Sequence, residues 1–203
     1  MILTYCPGRV KQKWSKQDLC SVMKVLAKLH KNTKGEKKKE DLKRTFRKNI
    51  RLFGDTHKEF SHLTKKVERL LGTVEFHESL VHDDLAANNI IFSDNDPVFI
   101  DWEWSHRSDP AKDLLRMFYP FHCPPWGVKL TKEREELVEK TYLTYNKDPD
   151  ILVRAKQRIL VAWYMDLLYF TWKINNWDKE HSSIPKKHYQ KTINKLKKYF
   201  EEL

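Results

Sequence analysis

The chain has 203 residues, of which 40% are hydrophobic, so it can bury the core of one domain. Its formal net charge is +11, and its three cysteines, Cys6, Cys20 and Cys123, lie far apart without Cys-x-x-Cys spacing. This composition excludes a disulfide framework and a structural zinc site, and we expect reduced thiols in a cytoplasmic protein.

The charge is unevenly distributed along the chain. Residues 1–77 hold 20 Lys+Arg against 8 Asp+Glu, residues 78–113 hold 2 against 9, and residues 114–203 hold 17 against 11. A basic protein with an acidic centre suits a cation site inside a surface that attracts anions. The densest basic run, residues 31–39, is either a solvated loop, which we favour, or a contact for nucleic acid or an anionic membrane.

The N-terminal third is predicted to hold one strand and three helices. Residues 1–9 read as a strand that ends in a turn at Pro7-Gly8. Apolar side chains at helical spacing predict helices over residues 15–30, 41–53 and 56–71. Ser15 and Asp18 match a capping box at the start of the first helix, and we interpret His30 at its end as a packing or capping residue rather than a metal ligand.

A β-hairpin is predicted over residues 90–100. Two apolar runs there are separated by residues 93–97, a polar stretch rich in turn formers. The hairpin follows a cluster of acids and amides. Its geometry would bring Asp84, Asn89 and Asp101 close together.

The C-terminal half is predicted to be helical. Asp109 caps a helix that has Pro110 at its first position and runs to about residue 119. Further helices are predicted over residues 131–145, from Asp148-Pro149 to residue 172, and from Pro185 to the end of the sequence. The apolar segment 159–170 is short and contains Asp166, so we expect a buried helix rather than a membrane span, and we find no signal peptide.

Three polar residues occur in the order of a kinase catalytic segment. Asp84 follows His82 in a His-x-Asp motif, Asn89 comes five residues after Asp84, and Asp101 ends an apolar run. In such a segment the first aspartate orients the attacking hydroxyl and accepts its proton, while the asparagine and the later aspartate hold magnesium on the nucleotide phosphates. A surface loop of solvated acids would explain any one of these residues, but the ordered set favours the kinase interpretation.

The motifs closely resemble those of the aminoglycoside phosphotransferase and choline kinase family, which has a protein-kinase-like fold. That family carries His-Gly-Asp-Leu-x-x-x-Asn-Ile, then Ile-Asp-Trp/Phe-Glu and Asp-Pro-Ala-x-Asp-Leu. The matching segments here are His82-Asp83-Asp84-Leu85 with Asn89-Ile90, Ile100-Asp101-Trp102-Glu103, and Asp109-Pro110-Ala111-Lys112-Asp113-Leu114. Asp83 departs from the usual glycine, and could raise a neighbour's pKa or alter the backbone of the loop.

The resemblance implies an α+β fold that is mainly α, a kinase-like C-lobe in which a small β-hairpin bears the catalytic loop. It implies ATP-dependent transfer of the γ-phosphate to a small-molecule hydroxyl, with ATP and Mg²⁺ as cofactors. Asp84 would act as base or orienting group, and His82 would hold the loop by hydrogen bonds. Asn89 and Asp101 would bind magnesium, and Glu103 would assist at the metal or substrate.

The resemblance also assigns nucleotide-binding and supporting residues. Tyr5 and Cys6 lie on a strand like the family's hinge, whose backbone pairs with adenine, and Ile91 and Ile100 would contact the nucleotide from the hairpin. Asp113 would brace the catalytic loop from the following helix. The other interpretation of Asp113 is an ordinary first-turn carboxylate that favours the helix dipole.

The sequence holds no glycine-rich phosphate loop and no strand that places a lysine ahead of the hinge. We therefore expect residues 1–9 to be a hinge-like strand and turn, residues 10–203 to be a single kinase-like C-lobe, and the N-lobe to be absent or supplied by a protein partner. The alternatives are a non-catalytic kinase-like binding or regulatory module and a basic nucleic-acid-binding protein, although we do not expect a nucleic acid partner.

Aromatic residues are frequent in the second half of the chain. They include Trp102, Trp104, Trp126, Trp163, Tyr164, Tyr169, Trp172 and Trp177. Such residues could form a cage for a quaternary ammonium group by cation–π contacts. We favour the other interpretation, in which aromatic side chains on buried helices belong to the core.

Overall fold

A computed structural model describes residues 7–11, 13–93, 96–117, 131–177 and 185–203. The helices are α1 (Lys16–Asn32), α2 (Leu42–Ile50), α3 (Ser61–Leu70), α4 (Ala111–Met117), α5 (Lys132–Tyr145), α6 (Ile151–Asn175) and α7 (Lys186–Glu202). The strands are β1 (Arg9–Val10), β2 (Lys37–Asp41), β3 (Thr73–His77), β4 (Ser79–Val81), β5 (Ile90–Phe92), β6 (Val98–Phe99) and β7 (His106–Ser108). Segments of 3₁₀ helix span Arg51–Phe60, Ala87–Asn89 and Trp102–Trp104.

These elements fall into two compact units. Unit 1 comprises Met1–Lys38 and Phe76–Ala155, and unit 2 comprises Lys39–Glu75 and Lys156–Leu203. Each unit has its own buried apolar side chains. The expectation of a single lobe over residues 10–203 stays a prediction.

The core of unit 1 forms where α1 and α5 pack together beside the hairpin. Helix α1 begins as expected from its capping box, because the Ser15 hydroxyl accepts from the Asp18 amide and the Asp18 carboxylate accepts from the Ser15 amide. Its apolar face is fully buried. Side chains of this core include Leu19, Val22, Met23, Leu26, Leu85, Ile90, Leu114, Val138 and Tyr142.

A three-stranded antiparallel sheet in the order β1-β5-β6 carries the hairpin. Ile90 pairs with Phe99 across β5 and β6, which is the hairpin expected from the sequence. Strand β1 adds to its other edge, where Gly8 has a φ of +141°. A Cβ on Gly8 would lie 2.5 Å from the carbonyl oxygen of Phe92, so this turn requires glycine.

Unit 2 is built from helices around aromatic side chains. Tyr164 of α6 contacts Phe46 of α2, with ring centroids 5.1 Å apart, and Phe200 of α7, with centroids 5.6 Å apart. Its hydroxyl lies at hydrogen-bond distance from that of Thr64 on α3. The buried Trp163 and Tyr164 follow the core interpretation of the aromatic residues, whereas Tyr169 and Trp172 are exposed. Trp126 lies outside the described residues.

The expected fold class, α+β and mainly α with a kinase-like arrangement, is confirmed. Two helix boundaries were wrong. The helix expected over residues 41–53 ends at Ile50, and the helix expected over residues 56–71 becomes α-helical only at Ser61. The 3₁₀ segment before it contains Gly54, with φ 51° and ψ −126°, which interrupts a regular helix. Among the described residues, no helix is both long and apolar enough to cross a membrane.

Candidate functional site

The hairpin brings the three candidate catalytic residues to one end of β5 and β6. Asn89 immediately precedes β5, and the amide of Ile100 donates to its backbone carbonyl at 3.0 Å. Asp101 follows at once in the left-handed conformation, with φ 65° and ψ 60°. The register of the two strands therefore places Asp101 next to Asn89.

Asn89 also holds the loop that carries Asp84. Its side-chain nitrogen donates to the backbone carbonyl of Asp84 at 2.8 Å and to the Asp84 carboxylate at 3.2 Å. The side-chain oxygen of Asn89 accepts from Asn88 at 3.0 Å and retains a second lone pair. Asn89 is buried, and Asp84 is half-buried. The two side chains are thus fixed by each other before any ligand binds.

His82 connects the loop to the hairpin. Its Nε2–H donates to the backbone carbonyl of Ile100 at 2.7 Å, and its ring lies 4.6 Å from that of Trp102. The ring is fully buried, and Nδ1 has no hydrogen-bond partner within the described ranges. These contacts are those expected of a residue that holds the catalytic loop rather than one that exchanges protons with a substrate.

Asp113, in the first turn of α4, accepts backbone hydrogen bonds from the catalytic loop. The amide of His82 donates to its two oxygens at 3.0 and 3.1 Å, and the amide of Asp83 donates at 2.9 Å. The side chain is completely buried. An ordinary first-turn carboxylate would face its own helix and solvent, so these contacts favour the brace interpretation.

His30 extends this arrangement into the core, a connection that the sequence did not reveal. Its Nε2 lies 3.0 Å from Asp113 and its Nδ1 lies 2.9 Å from the Tyr142 hydroxyl, which in turn accepts from Asn146 at 2.9 Å. With Nε2–H donating to Asp113 and Nδ1 accepting from the Tyr142 hydroxyl, every polar group of this chain has a partner. Burial and the nearby charge of Asp148 raise the pKa of Tyr142 well above its ordinary value. Tyr142 therefore stays a hydrogen-bond donor to His30.

Asp83 takes the left-handed conformation that the family's glycine would adopt freely. Its φ is 58°, a region in which aspartate is tolerated better than most residues. Its carboxylate lies 3.7 Å from the Lys112 amine and 3.8 Å from the ring of His106. The departure from the family's motif is thus accommodated by the backbone and by a partly exposed cationic neighbour.

A buried arginine fixes the start of α4 and so the position of Asp113. Arg154 donates from Nε to Asp109 at 3.2 Å and from Nη2 to Asp148 at 2.6 Å. Burial alone would lower the pKa of Arg154, but its hydrogen bonds to Asp148 and the charge of Asp109 raise it overall. Asp109 also accepts from the amide of Ala111 at 3.0 Å. No sequence pattern pointed to Arg154, because its partners lie 45 and six residues away.

The remaining candidate residues lie as follows. Ile91 and Ile100 are half-buried on the hairpin, and Glu103 is exposed in the 3₁₀ segment after Asp101. Tyr5 and Cys6 lie outside the described residues.

The oxygen donors at this site suit magnesium. Asp101 is exposed, and Asn89 and Asp84 supply further oxygens, which are the ligands that this hard cation prefers. Within the described ranges, no group of three or more His, Cys, Asp or Glu side chains is placed to hold a metal.

Comparison with known proteins assigns the family. The model of the phosphotransferase enzyme family, APH, matches residues 1–145, which is more than two thirds of the chain. The chain belongs to the phosphotransferase enzyme family. The resemblance found in the sequence motifs is therefore confirmed.

A curated relative shows how much of the chain is similar to a known protein. The chain is 27% identical over 95 residues to Protein LicA of Haemophilus influenzae (strain ATCC 51907 / DSM 11121 / KW20 / Rd), which covers 45% of this chain and 33% of LicA. The chain thus spans only about a third of the length of this curated relative.

Two solved structures share the fold. The gentamicin complex of APH(2")-IIa has a TM-score of 0.55 at 16% identity and covers 98% of this chain and 69% of that one. Plasmodium vivax ethanolamine kinase Pv091845 has a TM-score of 0.58 at 18% identity, over 98% of this chain and 65% of that one. APH(2")-IIa has also been solved as a ternary complex with streptomycin and ATP.

Proposed function

We propose that this chain carries the catalytic half of an ATP-dependent kinase that phosphorylates a hydroxyl of a small molecule. The observation that carries the proposal is the fixed arrangement of Asp84, Asn89 and Asp101. The side-chain amide of Asn89 bonds to Asp84 while its backbone carbonyl accepts from the residue before Asp101. These are three of the groups that phosphoryl transfer uses, and they are held by the hairpin and the loop before it.

Each residue has a distinct part in the proposed reaction. The carboxylate of Asp84 accepts a hydrogen bond from the acceptor hydroxyl and takes its proton. The oxygens of Asn89 and Asp101 would hold magnesium, which neutralises charge on the phosphates when bound. His82 keeps Asp84 in place through its bond to Ile100, and Asp113 fixes the backbone on the other side of the loop. Ile91 and Ile100 would contact the nucleotide, and Glu103 would assist at the metal.

The acceptor is proposed as a small hydroxyl compound by analogy with relatives. The named neighbours are an ethanolamine kinase and a phosphotransferase in complex with gentamicin or with streptomycin and ATP. A panel of amino alcohols, aminoglycosides and sugars therefore covers the chemistry to be tried first. The elements that would cover the nucleotide, including Tyr5, Cys6 and a possible partner-supplied N-lobe, remain part of the proposal.

Calorimetric titration of ATP in the presence and absence of magnesium tests the metal residues. Wild type should bind ATP only with magnesium, and Asp101→Asn should lose this binding because it removes a negatively charged ligand. Asp96→Asn is the matched control, since Asp96 is an exposed carboxylate on the hairpin turn that pairs with Lys24. Equal binding by wild type and Asp101→Asn would contradict the metal assignment.

The acceptor panel tests catalysis. Where wild type transfers phosphate, Asp84→Asn should lower kcat by about 10²- to 10⁴-fold while ATP binding is retained. Absence of ATP binding by wild type would leave a non-catalytic binding module as the better interpretation, and the next measurement would be capture of a partner that supplies an N-lobe.

A further inference from the structure

Most of the positive charge of the chain belongs to unit 2. The sequence segments of unit 2 hold 20 Lys+Arg against 11 Asp+Glu, a net charge of +9 out of +11. The candidate catalytic residues all belong to unit 1. The basic character of the chain therefore needs an explanation other than the phosphate chemistry of the hairpin.

Helix α2 and Arg51, the residue that caps its C-terminus, concentrate this charge on one face. Arg44, Arg47, Lys48 and Arg51 occur at spacings of three, four and seven residues, which place them on one side of a helix. All four are exposed. The opposite side is apolar and buried, through Leu42, Phe46 and Ile50. The helix is therefore fixed on its apolar side and presents what we call the α2 basic face.

The α2 basic face lines a solvent-open cavity of about 680 Å³ together with Asp41 and Thr45. Among these lining residues Asp41 is the one carboxylate against four cations, and it accepts from two amides at the start of the helix, at 2.9 and 3.1 Å. Arg47 pairs with Glu68 at 2.8 Å. The side chains of Arg44, Lys48 and Arg51 have no hydrogen-bonded or ionic partner among the residues that the structure describes.

Arg44, Lys48 and Arg51 differ from several surface lysines elsewhere in the chain, which pair with a carboxylate. Lys16, Lys24, Lys38 and Lys58, for example, each lie within 2.8 Å of a carboxylate oxygen. The α2 basic face instead carries guanidinium groups without a carboxylate partner. A guanidinium group is planar and can donate two parallel hydrogen bonds to two phosphate oxygens. A cavity of this size accommodates a small ligand.

We propose that the α2 basic face binds a phosphate group through Arg44, Lys48 and Arg51. The phosphate belongs either to a free phosphorylated small molecule or to the headgroup of an anionic phospholipid. Binding is direct, without a metal ion, and so is independent of Asp101 and of the proposed phosphotransfer.

Titration calorimetry with inorganic pyrophosphate tests this site, in EDTA and at low ionic strength, where screening is weakest. Wild type should bind one pyrophosphate per chain. The variant Arg44→Gln/Lys48→Gln/Arg51→Gln should bind at least about tenfold more weakly, since each lost charge-assisted bond is a substantial part of the affinity. Asp101→Asn should bind as wild type does, which separates this proposal from the function of the hairpin.

A matched control removes the same charge elsewhere in unit 2. Lys187, Lys191 and Lys195 are exposed and lie four residues apart on α7. The variant Lys187→Gln/Lys191→Gln/Lys195→Gln should change pyrophosphate affinity by less than about threefold. Equal losses in the two triple variants would show diffuse attraction and overturn the site, as would the absence of pyrophosphate binding by wild type.

Two further measurements define the geometry and the source of the phosphate. Arg44→Lys/Arg51→Lys keeps the charge but loses the planar guanidinium groups. A pyrophosphate affinity between those of wild type and the triple Gln variant would indicate that each guanidinium group binds two phosphate oxygens.

Sedimentation with phosphatidylcholine vesicles, with and without phosphatidic acid, then separates a lipid headgroup from a free phosphorylated ligand. Binding to the acidic vesicles that the α2 variant alone loses identifies a headgroup, and pyrophosphate binding without vesicle binding identifies a free ligand. A single-stranded oligonucleotide that both triple variants bind equally weakly would instead support nucleic acid and overturn the proposal.

Discussion

Replacing Asp113 by alanine should lower the free energy of unfolding far more than it would if Asp113 only interacted with the dipole of its own helix. Asp113 accepts from the amides of His82 and Asp83 and from the ring of His30, and the His82 and His30 donors are buried with it. An unsatisfied buried donor costs about 1–3 kcal/mol, and removing one member of a buried charged network costs about 3–5 kcal/mol in total. A helix-dipole role alone would contribute only about 0.3–1 kcal/mol.

Urea unfolding followed by tryptophan fluorescence and circular dichroism measures this difference. We expect Asp113→Ala to lower the free energy of unfolding by about 3–5 kcal/mol. Asp150→Ala is the control, because Asp150 is an exposed carboxylate just before α6 and its loss should cost no more than the roughly 0.3–1 kcal/mol of a helix-dipole contribution. A loss below about 1 kcal/mol for Asp113→Ala would refute the brace.

Hydrogen exchange gives a second readout if Asp113→Ala is too unstable to purify. In wild type the amides of His82 and Asp83 should be protected, although they lie in a loop, because both donate to Asp113. Asp113→Asn keeps one oxygen for both amides but removes the charge and the acceptor that faces His30, so the protection of both amides should fall through the lower stability of the folded state. Rapid exchange in wild type would contradict the brace without any variant.

Three other perturbations follow from the structure. Gly8→Ala should lower the free energy of unfolding by about 2 kcal/mol or more, because the new Cβ would collide with backbone atoms at a position with positive φ. Gly54→Ala should lower it by about 1 kcal/mol, because Gly54 also has positive φ but has open space around it. Arg154→Met should cost about 3–5 kcal/mol in urea unfolding, because it leaves Asp109 buried without its cation. Above pH 10 the free energy of unfolding of wild type should fall relative to that of Tyr142→Phe, by up to about 1.4 kcal/mol per pH unit, because the unfolded chain ionises this tyrosine first.

Each of these outcomes has a contrary result. Equal costs at Gly8 and Gly54 would mean that the close approach to Phe92 does not matter. Full stability of Arg154→Met would show that the apolar replacement compensates for the lost ion pairs, as happens for some buried networks. A constant difference between wild type and Tyr142→Phe from pH 8 to pH 11 would mean that the Tyr142 pKa is not raised by its burial and by Asp148.

Local patterns in the sequence predicted most elements but not the contacts between distant ones. The Ser15 capping box and the turn before Pro97 are read within a few residues, and α1 and the hairpin formed as expected. Periodicity could not show that the segment around Gly54 is 3₁₀ rather than α-helical, since both place apolar residues three or four apart. Strand β4 pairs with β7, about 27 residues on, which no local pattern indicates.

In the candidate site, too, local sequence predicted the residues of the motif but not the distant residues that contact them. Asp84, Asn89 and Asp101 were identifiable because their order along the chain is itself the signal. His30, Tyr142 and Arg154 support that site from helices far away in sequence, and their roles depend on tertiary packing. His30 was expected to be a packing residue, and its position between Asp113 and Tyr142 shows that a buried packing histidine can also contact the residues that support the candidate site.

Two aspartates with positive φ, Asp83 and Asp101, frame the candidate site. A non-glycine residue in this conformation is strained by about 1–2 kcal/mol, so neighbouring contacts must compensate for it. The amide of Asp83 is held by Asp113, and the residue before Asp101 is held at both its amide and its carbonyl, by Asn89 and His82. The strain is thus localised on the two turns that aim Asp84 and Asp101. This arrangement explains why Asp113 and His82, which need not touch a substrate, should matter as much to the site as the residues that do.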